Sequence, residues 1–326
     1  MNALLEWLKP YARAVKYARL YRRARRQAER DRPGMAGRPT PPLAFIFACG
    51  RSGTTVLGKI FAAHPDVRYL FEPYHSWAAI DPRTDMLQLY VESDGRCLMD
   101  AADVNENIRT RFRRVIREAN ADPGVKLVME KTPINALRLG YLMELAPDAK
   151  FIHIVRDGVD VARSIARLAT AGDYRIAGKA LAGKWWGVGG CKWRFLARDG
   201  AAAGYYAGEV TSLSLDDEFA KGAYEWLLSL HEVDRHRAML GDRLFEFTYE
   251  RLTEEPEATL RALCAHVGIE APQPWLNESC DLLDEARSNP GKPESLPPRM
   301  AASFNTLQER FGFHNRVKPR PIGTDD

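Results

Sequence analysis

The chain has 326 residues, 45% of them hydrophobic and 28% charged, with a net charge of +4. That length and balance exclude a fibrous or disordered chain and fit one catalytic domain with appendages. The longest apolar run, Leu43–Cys49, is far below the roughly 20 residues of a bilayer-spanning helix, and the N-terminus lacks the apolar centre of a signal peptide, so a cytoplasmic location is expected.

Residues 1–32 carry a net +7, leaving −3 for the remainder. Across 1–30, Leu4, Leu5, Trp7, Leu8, Tyr11 and Val15 recur at near-helical spacing among Arg and Lys, which predicts a basic amphipathic helix divided or kinked at Pro10. Its apolar side could meet an anionic surface at the inner membrane, the main domain, or a second subunit of a homo-oligomer. Residues 31–42, with four prolines and two glycines, read as a linker to a domain over 43–326. There, strands and helices alternate: strands at Leu43–Ala48, Val67–Phe71, Val125–Glu130, Lys150–Val155 and Arg243–Thr248, with helices following Gly53 and over 109–119, 134–145, 158–169, 216–240 and 256–267. This pattern predicts an α/β fold of three layers, a central parallel sheet flanked by helices as in P-loop proteins. An aromatic and Gly-rich insertion over 170–215 and a Pro-rich stretch over 287–299 break the alternation; connections of that length cover sites. The five cysteines are scattered without metal or redox spacing and are expected as free thiols, with no metal requirement.

Gly50-Arg51-Ser52-Gly53-Thr54-Thr55 joins the first strand to a helix, an arrangement that points backbone N–H groups and a helix dipole at one anion. It departs from a nucleoside triphosphatase loop, which would need Gly at 48 and Lys at 54, where Ala48 and Thr54 stand. The cation is instead Arg51. Later, Arg156 ends an apolar strand and Ser164 lies two helical turns on, so both can converge on one phosphate; Asp157 reads as the helix cap.

Phe45 to Leu57 resembles the 5′-phosphosulfate loop, and Ile154 to Ser164 the 3′-phosphate motif, of sulfotransferases that use 3′-phosphoadenosine 5′-phosphosulfate (PAPS). The resemblance runs over roughly 43–268. It implies PAPS as co-substrate, adenosine 3′,5′-bisphosphate as product, and Arg51, Ser52, Gly53, Thr54, Thr55, Arg156 and Ser164 as donor-binding residues. Tyr249, in a Tyr-Glu-x-Leu stretch, would lie near the adenine, with Ser288 and Lys292 closing over the nucleotide. The family's further Arg has two candidates, Arg163 and Arg167.

In-line sulfuryl transfer needs a base for the acceptor proton and cations around the sulfonyl group. Leu70-Phe71-Glu72-Pro73 resembles the Leu-x-Glu-Pro stretch of Golgi carbohydrate 6-O-sulfotransferases, which implies Glu72 as base and a hydroxyl on a carbohydrate, glycolipid or glycosylated natural product as acceptor. Glu130-Lys131-Thr132-Pro133 resembles the Asn-Lys-Asp-Pro stretch of tyrosylprotein sulfotransferases, implying that Lys131 supports the transition state beside Arg51. His75 is the competing base; His64 and His153 read as structural. Trp185, Trp186 and Trp193 could be core or acceptor contacts. The competing readings are an ATP-dependent P-loop kinase and a tyrosylprotein-type sulfotransferase. No nucleic-acid partner is expected.

Overall fold

The five apolar runs form one parallel sheet, and their carboxyl ends lie along a single edge. In a computed structural model, which describes residues 2–35, 39–119, 124–171, 175–176, 179–180, 185–213, 216–283 and 293–320, the elements run in chain order as follows. Helix α1 spans Asn2–Glu29, β1 Leu43–Phe47, α2 Thr54–Ala62, β2 Val67–Phe71, α3 Tyr74–Ile80, α4 Glu106–Ala119 and β3 Leu127–Lys131. Then come α5 Leu139–Leu145, β4 Lys150–Val155, α6 Gly158–Thr170, the two-residue strands β5 Arg175–Ile176 and β6 Lys179–Ala180, α7 Cys191–Ala202 and α8 Ala207–Thr211. The last are α9 Glu218–Leu240, β7 Leu244–Thr248, α10 Tyr249–Glu254, α11 Pro256–Val267, α12 Gln273–Asp281 and α13 Pro298–Arg310.

The sheet order is β2-β3-β1-β4-β7, with every pairing parallel. All five β1 residues are buried, which explains why this strand reads as an unbroken apolar run and not an alternating one: helices cover both faces. Side chains alternate across it. Leu43, Phe45 and Phe47 pack in the layer with α4 and α5, while Ala44 and Ile46 join Leu57, Ile60 and Leu263 of α2 and α11.

Three expectations change. The helix placed over 134–145 is a 3-10 turn at Pro133–Leu137 followed by α5, because Pro133 and the turn it starts precede the α-helical residues. Pro10 does not divide α1, which runs from Asn2 to Glu29. Among the described residues, 170–215 is more than a covering loop: Leu196 of α7, Tyr206 and Val210 of α8 pack into the core shared with α6 and α9, while Trp185 lies over the glycine loop. Helix α1 lies against the main domain, where Ala24 and Ala28 are buried beside α3 and α4.

Candidate active site

β1 delivers the glycine loop to the sheet edge where chain connections diverge to either side, the place where open α/β sheets bind ligands. Gly50 sits under Trp185; a Cβ there would lie 2.3 Å from the indole Cη2. Gly53 has φ 93°, and a Cβ would lie 2.3 Å from Tyr249 Cδ2, so this position requires glycine twice over. No side chain caps α2 at Gly53, so a bound anion can take the first amide donors. Ser52 and Thr54 are buried beneath the loop, and Thr55 faces the cavity.

Arg51 has φ 75°, a left-handed conformation disfavoured for a side chain of its size. Its Nε donates to Ser164 Oγ at 3.0 Å, and Arg156 Nη1 donates to its carbonyl at 3.5 Å. Partial burial, and then the like charges of Arg156 and Arg167, pull the Arg51 guanidinium below its ordinary range. Arg156 Nε is buried without a hydrogen-bond partner. Two guanidiniums, a serine hydroxyl and an orphaned N–H lie together, with a third positive charge acting on them from Arg167, a set that could hold a multiply charged anion such as a nucleotide 3′-phosphate. Of the two further arginines, Arg163 bonds Glu294 at 3.0 Å, and Arg167 is the one whose charge acts on Arg51. Asp157 caps α6, accepting from the amides of Val159 and Asp160 at 2.8 and 3.2 Å. Tyr249 lies over Gly53 with the Arg156 guanidinium 5.1 Å from its ring centroid. Ser288 and Lys292 lie outside the described residues.

Across the cavity from the loop stands an ion pair at the ends of the neighbouring strands β2 and β3. Glu72 follows β2 with φ 39°; its amide donates to the Lys131 carbonyl at 2.8 Å, continuing the β2–β3 ladder, while the turned backbone brings its carboxylate back over Lys131. Lys131 Nζ donates to Glu72 Oε1 at 2.5 Å and lies 4.2 Å from the Phe71 ring centroid. The lysine side chain is 0% exposed and the glutamate 28%. Lys131 is the last residue of β3, not a solvated residue beyond it. Its neighbour Glu130 is buried and accepts from Trp77 Nε1 at 2.9 Å, from Asn135 Nδ2 at 3.0 Å and from the Thr132 hydroxyl. Burial raises its carboxyl to about 7 despite these donors. His75 borders the same cavity, its imidazole held below its ordinary range by burial and then by Arg23. His64 bonds the Glu270 carbonyl and the Asp66 amide, and His153 bonds Glu246 and stacks on Phe47; both are structural.

The tryptophans divide. Trp186 and Trp193 are core residues packed edge to face, at 3% and 9% exposure, whereas Trp185 borders a cavity of about 460 Å³ between the glycine loop and Glu72. Sequence reasoning missed the group that fixes Trp185. Its Nε1 donates to Glu225 Oε2 at 2.6 Å, and Lys192 Nζ donates to both Glu225 oxygens at 2.8 Å while lying 4.1 Å from the indole centroid. No local signal links residues 33 positions apart on α7 and α9. Also missed were Tyr17 and Leu20 of α1 and Leu87, Leu89 and Tyr90, which complete the cavity wall.

Residues 42–185 match the model of the sulfotransferase family. Over that region the chain is similar to sulfotransferases. Among the relatives, a protein-tyrosine sulfotransferase of Drosophila melanogaster is 33% identical over 129 residues, 38% of this chain and 25% of that protein. The omega-hydroxy-beta-dihydromenaquinone-9 sulfotransferase of Mycobacterium bovis is 30% identical over 145 residues, 44% of this chain and 29% of that protein. The chain thus spans well under half the length of these relatives. The sulfotransferase domain of the Synechococcus PCC 7002 olefin synthase has the same fold, with TM-score 0.51 at 18% identity, over 87% of this chain and all of that domain.

Proposed function

We propose that this protein transfers the sulfuryl group of PAPS to an acceptor hydroxyl by in-line displacement. The observation that carries the reading is the Arg51–Ser164 bond, which joins the 5′ loop to the 3′-phosphate station beside a cavity walled by Glu72. In this reading the amides of the glycine loop hold the 5′-phosphosulfate, and Arg156, Ser164 and Arg167 hold the 3′-phosphate. Lys131 engages Glu72 Oε1, leaving Oε2 to accept the acceptor proton. The acceptor oxygen then bonds to sulfur, the bond from sulfur to the 5′-phosphate oxygen breaks, and its electron pair leaves with adenosine 3′,5′-bisphosphate. Lys131 and Arg51 stabilise the charge that develops across this step.

The acceptor reading follows from the cavity lining. Tyr17, Leu20, Leu87, Leu89 and Tyr90 offer aromatic and aliphatic surface, which suits a hydroxyl on an apolar or aromatic body better than a bare saccharide. Glycolipids and glycosylated natural products, suggested by the Glu-Pro likeness, retain such a body. The relatives that act on protein tyrosine and on a hydroxylated dihydromenaquinone handle acceptors of this kind.

Scanning fluorimetry tests the donor assignment. Adenosine 3′,5′-bisphosphate is expected to raise the melting temperature and ATP with magnesium is not; the reverse result would support a P-loop kinase and refute the proposal. Glu72→Gln is expected to abolish transfer while keeping the bisphosphate shift, and retained turnover would move the base to His75.

A further inference from the structure

We propose that the outward face of α1 docks this protein on an anionic lipid bilayer, setting the cavity that α1 borders at the membrane surface. Helix α1 has two chemically distinct sides. Toward the domain, Ala24 and Ala28 are buried, Tyr21 stacks on Tyr90 at 5.7 Å between centroids, and Tyr17 and Leu20 wall the cavity. Away from it, Arg19, Arg22, Arg23, Arg26 and Arg30 are all exposed. From position 15 to 30 the sole acid is Glu29, which Arg25 engages at 2.8 Å.

The outward face is not only cationic. At about 100° per residue, positions 4, 8 and 11 fall in line with 15, 19, 22 and 26. Those first positions hold Leu4, Leu8 and Tyr11, and Val15 is 49% exposed. In sequence, an apolar line runs on into arginines, and from Val15 onward that line lies on the side of α1 turned away from the domain; such a line matches the boundary between acyl chains and anionic headgroups. Nucleic acid would satisfy the arginines but not the apolar line. Among the described residues no helix is long and apolar enough to cross a membrane, so the contact is peripheral. The apolar cavity lining fits the same arrangement, because an acceptor with an apolar body partitions into the lipid that α1 would rest on.

This inference goes beyond the transfer reaction and is tested without donor or acceptor. The full chain is sedimented with vesicles of phosphatidylcholine alone and with vesicles containing phosphatidylglycerol. Partition onto the anionic vesicles is expected, weakening with salt. Arg19→Glu/Arg22→Glu/Arg23→Glu/Arg26→Glu should lower it by about a hundredfold or more, with the bisphosphate melting shift unchanged as the check on folding. Equal partition onto both vesicles, salt-insensitive binding, full retention by the variant, or duplex DNA that strips the protein from vesicles would each overturn the proposal. A missing bisphosphate shift in the wild-type chain would instead count against the donor assignment alone.

Discussion

Glu72 and Lys131 form an ion pair with unequal access to water, and that inequality predicts which partner is more costly to lose. Lys131 is 0% exposed and Glu72 28%. Glu72→Ala strands an ammonium group with no contact with solvent, and removing one partner of a buried pair costs about 3–5 kcal/mol. Lys131→Met leaves a carboxylate that water still reaches, in a cavity wall where Met fills the lysine stem's volume beside Phe71, so its cost should fall near that of an exposed pair, about 1 kcal/mol. The double variant no longer contains a stranded charge and should be more stable than the sum of the two losses requires, with a coupling of about 2–3 kcal/mol. Urea unfolding of the four proteins measures this directly. Lys131→Met destabilising as much as Glu72→Ala, or a coupling near zero, would refute the reasoning. In a transfer assay Lys131→Met should lose about a hundredfold in rate even though it folds.

Gly53→Ala combines a φ of 93° with a Cβ 2.3 Å from Tyr249, a strain of about 1–3 kcal/mol before the clash is counted; isothermal titration should find bisphosphate binding lost, and adding Tyr249→Ala should restore it only in part. Arg156→Leu should weaken adenosine 3′,5′-bisphosphate by about tenfold or more while leaving adenosine 5′-phosphosulfate, which lacks the 3′-phosphate, almost unaffected; equal losses would mean that Arg156 is not at the 3′ station. Burial raises the Glu130 carboxyl to about 7 from an ordinary 4.5. A folded-state value above the unfolded one stabilises fully below 4.5 and is lost as pH rises through about 7, so this group should remove about 3 kcal/mol of stability across that window. The unfolding free energy of the wild type should therefore fall relative to that of Glu130→Gln by about this amount as pH rises through the window, and a difference constant with pH would contradict the assignment.

The strand-loop-helix units were legible in sequence because each is local. An apolar run followed by Gly50 to Thr55, or by Arg156 and Asp157, declares a buried parallel strand, its anion-binding turn and its cap within a dozen residues. Glu72 and Lys131 were legible singly, as polar residues ending apolar strands, but their pairing depends on β2 lying beside β3, which periodicity does not encode. Trp185 shows the limit most directly. Its composition matches that of Trp186, yet one borders the cavity and the other the core, and the difference is made by Glu225 and Lys192. The partner of α1 was likewise open, because a basic helix with small residues on one side carries the same pattern whether that side meets protein or lipid.

The bond between Arg51 and Ser164 spans 113 residues, and the parallel sheet beneath it pairs β1 with β3 and β4, both remote in sequence. Such connectivity delays a site until most of the chain has condensed, since each pairing must first close a long loop. The proposed phosphate stations are brought together only once those pairings have formed. A nucleotide that bridges them therefore binds only the finished architecture and stabilises it by mass action. The donor should act as a folding ligand as well as a reactant: its presence during refolding would trap chains that have closed the longest loop and leave the earlier, locally folded stages untouched.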